Sequence, residues 1–297
     1  MRRLSPAVGP IRLAVWYGKG GVGKSTTTMM LSLLTARRGY RVLTIDLDPE
    51  CGTSRDFLGT ELGRVHNNLK SFLESPIPAP PPILPSGIER LDLLPSAPDE
   101  QRFFRHFPEH STRLQEGLQL LPSSYHWIIM DIPNQFDNVA ELGLIAAEYL
   151  ILPVELTADC SERVASVVRI IDEARGCNPG LKVVGALALA SAPRPGRELS
   201  LSYKERLVFR EYEQSLEAAG ITLFRTIMFR SATTVEEARS NANDRLMHWT
   251  ARRRFKRLIA EIHFRIKSRS QIPSPPPHGR KHHVQAHPHR VAATANA

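Results

Sequence analysis

The eight residues Gly18-Lys19-Gly20-Gly21-Val22-Gly23-Lys24-Ser25 fit the pattern G-x-x-x-x-G-K-[ST] and constrain the chain more than any other segment. They lie between a β-branched and aromatic run, 11–17 (IRLAVWY), and an apolar-periodic stretch from Ser25 to Arg38 closed by Gly39. This order predicts strand, loop and helix. A second strand, 41–48 (RVLTIDLD), follows and stops at two aspartates and Pro49. Strand, helix and strand in so short a span form a βαβ unit, which needs parallel strands and a right-handed crossover. The glycines let backbone N–H groups turn inward on phosphate oxygens, and the helix N-terminus adds roughly half a positive charge. Lys24 is then placed to reach the β- and γ-phosphates, and the Ser25 hydroxyl to ligate magnesium.

Further strands are expected at 91–94, 127–132, 149–154, 182–189 and 222–227, separated by helical patterns at 111–121, 138–147, 160–174 and 201–219. Near-continuous apolar strands alternating with helices describe an α/β fold with a doubly wound, mostly parallel sheet and helices on both faces. The expected organisation is an N-terminal extension at 1–10, one ATPase-type domain at 11–267 and a tail at 268–297. Residues 76–98 hold eight of the 23 prolines and read as a stiff surface insertion, centred on 76–90, around one short strand. The tail, with five prolines and five of the eleven histidines, reads as disordered, and its irregular histidine spacing favours adventitious over specific metal binding. No run approaches the ~18 apolar residues of a membrane span and no secretory apolar block opens the chain, so a cytoplasmic protein is expected. Cys51, Cys160 and Cys177 are odd in number and widely spaced, as ordinary reduced thiols are.

The run KGGVGKSTT carries a second lysine, Lys19, and closely resembles the deviant Walker A motif of the ParA/MinD family of dimeric ATPases. The resemblance implies a P-loop NTPase fold, ATP and Mg2+ as cofactors, and slow hydrolysis stimulated by a partner. It implies that Gly20, Gly21, Val22, Gly23, Lys24, Ser25 and Thr26 hold the phosphates, while Lys19 crosses a dimer interface to the other subunit's nucleotide. The segment RRGYRVLTIDLDPECGT is similar to the family's strand ending in D-x-D-P, which makes Asp48 the residue that positions the attacking water and Asp46 a support of the metal site. Glu50 stands where the family has glutamine. A carboxylate there repels polyphosphate, which leaves a slow enzyme, a Glu50 turned away or a non-hydrolysing scaffold open. Trp127 to Asp131 has the form of a Walker B strand, with Asp131 the metal carboxylate, and Ile132-Pro133-Asn134 departs from the family's D-x-P-P at its last residue. Ile227 to Arg230 occupies the place of the family's adenine loop without its proline and asparagine.

The formal charge of +9 raises the question of a polyanionic partner. Residues 251–297 carry eleven Lys or Arg against Glu261 alone, so the first 250 residues hold 28 basic and 29 acidic side chains and are near neutral. A basic total therefore does not by itself make the domain a DNA binder. By resemblance to partition ATPases, Arg210, Arg230, Arg239 and Arg245 are candidate contacts for non-specific DNA. They are interleaved with glutamates, as on a solvated surface. The segment 249–267 has apolar residues at 255, 258, 259, 262 and 266 beside many arginines, a stripe that fits packing on the body, DNA contact or an anionic membrane. The leading expectation is an ATP-dependent homodimer that binds non-specific DNA, answers to a ParB-like partner and acts in plasmid or chromosome partition. The alternative is a membrane-surface ATPase like MinD. A reductase like the nitrogenase iron protein needs paired cysteines in strand-end loops, and Cys160 and Cys177 are not so placed.

Overall fold

Alternate residues of the central strands are apolar on both sides of the sheet, and this period-two pattern is what calls for three layers. The computed structural model describes residues 9–75, 79–96, 103, 106–108, 110–156, 160–191, 201–229 and 249–269. Its strands are β1 (Ile11–Val15), β2 (Val42–Asp46), β3 (Leu84–Ile88), β4 (Leu91–Leu94), β5 (Trp127–Asp131), β6 (Tyr149–Glu155), β7 (Lys182–Ala190) and β8 (Met228–Phe229). They form one sheet in the order β3-β4-β2-β5-β1-β6-β7-β8, parallel throughout except for the β3–β4 pair. The helices are α1 (Lys24–Ala36), α2 (Gly52–Leu58), α3 (Leu69–Glu74), α4 (Arg113–Gln119), α5 (Asn138–Ala146), α6 (Cys160–Cys177), α7 (Tyr203–Ala218) and α8 (Trp249–Arg269), with a 3-10 turn at Gly59–Arg64.

The two apolar layers divide the strands residue by residue. Leu13, Val15, Ile129 and Ile151 pack under α1 and α8, while Ala14, Ile128, Met130, Leu150 and Leu152 face the layer that includes α3, α4, α5 and α6. Helix α1 is nearly encased, with Met29, Met30, Leu31, Leu33 and Leu34 all buried. It ends where Gly39 takes the left-handed φ of +88° and donates its N–H to the Ala36 carbonyl at 2.8 Å, a geometry a side chain would strain. The apolar stripe of α8 is core: Phe255, Leu258, Ile259, Ile262 and Ile266 are all buried. His263 lies in the same layer, stacked on Trp127 with ring centroids 4.8 Å apart.

Two expectations are corrected. The described part of the proline-rich insertion holds two strands where one was expected: β3 pairs with β4 through a tight turn at Glu89 and Arg90, a hairpin on the sheet edge. The residues 222–227 form no strand: Leu223 makes a single bridge to Ala186. The N–H groups of Arg225 and Thr226 are taken by the Glu261 carboxylate at 2.8 and 3.2 Å in place of a ladder, and the sheet resumes only at Met228.

Candidate nucleotide-binding site

The sheet order puts β1 between β5 and β6, so the loop after β1 opens beside the carboxyl ends of both. Register aligns Val15 with Asp131 and Asp131 with Asp46, which brings two buried carboxylates side by side next to the loop. Gly21 and Gly23 adopt left-handed φ values of +73° and +79°, and a Cβ on Gly23 would stand 2.8 Å from Leu189 Cδ2. Only glycine fits there, and the tight turn lets α1 begin at Lys24 with its first N–H groups facing the loop. Val22 is fully buried and anchors the loop, and Lys24 is 7% exposed. Asn134, which replaces the second proline of the related motif, lies against Gly20, where an added Cβ would meet its Nδ2 at 3.4 Å.

The carboxylates play different parts. Asp46 is enclosed: its Oδ2 accepts both the N–H and the hydroxyl of Ser54 at 2.7 Å, and its Oδ1 accepts the N–H of Asp48 at 3.0 Å. Asp131 accepts one hydrogen bond at Oδ2, from the Thr53 hydroxyl at 2.7 Å, while its Oδ1 is buried with no hydrogen-bonding partner. Burial pushes both carboxyls up, Asp46 well above the usual range and Asp131 to about 6, and the proximity of Asp131 raises Asp46 further. The Ser25 hydroxyl, Thr53 and Lys24 pull Asp131 the other way. An orphaned buried carboxylate oxygen next to a hydroxyl is a donor set suited to a hard divalent cation. Ser25 and Asp131 meet this description, whereas Asp46 has both oxygens engaged by protein donors and holds the end of β2 in place.

Asp48 is buried and receives the Glu50 N–H on Oδ1 at 3.0 Å, which with the Cys51 N–H on its carbonyl at 2.8 Å turns the chain after β2. The Glu50 side chain is exposed, and its carbonyl accepts from Arg55 at 2.8 Å. Lys19 lies at the rim with its Nζ 2.8 Å from Glu155 Oε2. Of the arginine candidates, Arg210 is exposed on α7, while Arg230, Arg239 and Arg245 lie outside the described residues.

Sequence reasoning missed three residues that complete the site. Gly52 packs so closely on Ser25 that a Cβ would stand 2.9 Å from its hydroxyl. Thr53 and Ser54 supply the donors to Asp131 and Asp46, and Ser54 Oγ also accepts the Ser96 N–H at 2.9 Å. The available signal is a glycine and two hydroxyl residues four to six positions after the second strand-end aspartate, easily read as an ordinary helix start.

A glycine cradle opening a buried helix, a buried lysine and a strand-end carboxylate beside the first hydroxyl define a P-loop nucleotide-binding protein. Residues 12–183 match the family AAA_31, described as an AAA domain, and the chain belongs to it, within the ParA/Soj group that its motifs resemble. It is 33% identical over 179 residues to the chromosome-partitioning ATPase Soj of Thermus thermophilus, a match spanning 59% of this chain and 68% of that one. Among solved structures, an ATP complex of a McdA variant from Cyanothece superposes with a TM-score of 0.72 at 17% identity, covering 86% of this chain and 98% of the other. Cobyrinic acid a,c-diamide synthase from Mycobacterium smegmatis with bound ADP and magnesium gives 0.68 at 21% identity, covering 90% and 100%.

Proposed function

We propose that the chain is an ATP- and magnesium-dependent dimerising ATPase of the partition type, which binds non-specific DNA when ATP-bound and is stimulated by a ParB-like partner. The observation that carries this reading is the pairing of Lys24 in its glycine cradle with Asp131, whose Oδ1 is buried and without a partner. ATP and magnesium in the structural relatives support the same cofactors here. In this reading Gly20 to Thr26 hold the phosphates, Lys24 neutralises the terminal ones, and Ser25 and Asp131 hold the magnesium. Magnesium held there would supply Lewis-acid stabilisation of charge on the phosphate oxygens. Asp48, buried and close enough for its charge to act on Asp131, orients the water, and Thr53 keeps Asp131 turned toward Ser25. Lys19 is the residue offered to the second subunit.

The membrane alternative is not favoured, because the apolar stripe of α8 that it needs is buried in the core and Arg254 and Arg265 are bound to backbone carbonyls. No helix among the described residues is long and apolar enough to cross a membrane.

The test is binding of the purified chain to random-sequence duplex DNA near physiological salt, with Mg-ATP, with Mg-ADP and without nucleotide. Binding that requires ATP and is lost in Lys24→Ala supports the switch. Equal binding in all three states, or survival of ATP-dependent dimerisation in Lys24→Ala, overturns it.

A further inference from the structure

His110, Glu141 and Cys177 come from three separate segments, the loop before α4, the first turn of α5 and the last residue of α6, and none belongs to the phosphate loop or its carboxylates. Their donor atoms converge. Glu141 Oε1 lies 2.6 Å from His110 Nδ1, and Cys177 Sγ lies 3.2 Å from that nitrogen and 3.5 Å from that oxygen. The backbone of His110 is anchored at the site: it takes a left-handed φ of +54° and its N–H donates to Glu141 Oε2 at 2.7 Å. The frame on the other side is fixed by Asn178, whose Nδ2 donates to the Leu144 and Ala147 carbonyls at 2.9 and 2.7 Å and locks the end of α6 to the end of α5. Among the described residues, this is the one group of three metal-capable side chains whose donor atoms lie within 4.8 Å of one another.

In the metal-free state the three are joined by hydrogen bonds, with Glu141 Oε1 taking both the imidazole nitrogen and the Cys177 thiol. We propose that His110 Nδ1, Glu141 Oε1 and Cys177 Sγ form a binding site for a divalent transition metal of the zinc type, with water completing the coordination. Bonds of about 2.0–2.3 Å at tetrahedral angles separate donor atoms by roughly 3.3–3.7 Å. The 3.5 Å between sulfur and the Glu141 oxygen lies in this range and the 3.2 Å between sulfur and the His110 nitrogen falls just short of it, while the third distance opens when the nitrogen–oxygen hydrogen bond is exchanged for two metal bonds. The exposed His110 ring is free to make that adjustment. On binding, the thiol proton leaves to solvent, and one thiolate and one carboxylate neutralise the dication. A mixed nitrogen, oxygen and sulfur set selects against magnesium and calcium, which take oxygen ligands, so the site is chemically distinct from the one at Ser25 and Asp131. Occupied, it staples the loop before α4 to α5 and α6.

The probe is cobalt(II), titrated into the metal-free full chain and followed by zinc displacement. A thiolate-to-cobalt charge-transfer band that saturates at one equivalent is expected, and zinc removes it. The band is lost in Cys177→Ser and persists when His278, His282, His283, His287 and His289 are all replaced by alanine, which separates the site from the histidine-rich tail. His110→Ala, at an exposed side chain, weakens cobalt affinity at least about tenfold and keeps the test decisive should Cys177→Ser fail to fold. No charge-transfer band, a band retained in Cys177→Ser, or unchanged affinity in His110→Ala overturns the proposal.

Discussion

Lys19 Nζ and Glu155 Oε2 stand 2.8 Å apart, joining the phosphate loop after β1 to the carboxyl end of the neighbouring β6. The lysine that the proposed mechanism lends to a second subunit is held by its own. Both side chains are partly exposed, at 31% and 24%, so the pair is a weak restraint that a better partner displaces.

Glu155→Gln therefore lowers the protein concentration needed for ATP-dependent dimerisation, by about two- to fivefold, the effect of removing an exposed pair worth about 0.5–1 kcal/mol. Lys19→Ala abolishes dimerisation. Sedimentation velocity with and without Mg-ATP reads both.

Thr53→Val removes the 2.7 Å hydrogen bond to Asp131 Oδ2 while keeping the side-chain volume. Outer groups of this kind are worth about 10–100-fold in metal affinity or activity. The expected outcome is a loss in that range in the magnesium dependence of ATP turnover, with folding intact by circular dichroism.

Ser54→Ala leaves Asp46 with one donor fewer and the Ser96 N–H without its acceptor. Stranding buried polar groups costs about 1–3 kcal/mol, so the unfolding free energy read from urea titration falls by that amount and the midpoint moves to lower urea. A midpoint unchanged from the parent would show that water replaces the hydroxyl.

His263 is pushed down to about 4, first by burial and then by the nearby Arg38 and Lys267 charges. A histidine whose folded pKa is depressed binds fewer protons folded than unfolded between about 4 and 6.5, so its contribution is complete above that window and falls as pH drops through it. The protein loses about 1–3 kcal/mol from this group between about pH 7 and pH 4.5. His263→Phe, which keeps the ring against Trp127, flattens this part of the profile in urea unfolding at the two pH values.

The phosphate loop, the strands around it and the carboxylates ending β2 and β5 were legible in the sequence because each is written as a local pattern: glycine spacing, apolar runs and acids at their ends; the order that sets β5 between β1 and β2 was not. The stripe of α8 was legible for the same reason, and all five of its apolar positions are buried. What escaped depends on contacts between distant segments. Thr53 and Ser54 look like a helix start until the sheet brings Asp131 and Asp46 beside them. Glu261 looks like one acid among many arginines. In the fold it occupies the backbone donors of 225 and 226, takes Arg265 at 2.9 Å, and thereby ends a strand that the apolar run alone predicts. His110, Glu141 and Cys177 are separated by 31 to 67 residues and no spacing rule joins them.

The burial of α8 against the helix that begins at the phosphate loop decides how the carboxyl terminus can be trimmed. Phe255, Leu258, Ile259, Ile262 and Ile266 share one apolar layer with Met29, Met30 and Leu33 of α1. At about 1.5–3 kcal/mol per buried apolar side chain, these five are worth roughly as much as the whole net stability of a domain. A truncation that removes 249–267 strips the lid from the nucleotide helix, and any loss of lipid or DNA binding that follows reports unfolding. A stop after Arg269 spares that lid, and reversing exposed charges such as Arg253 and Arg257 asks the partner question with the core intact.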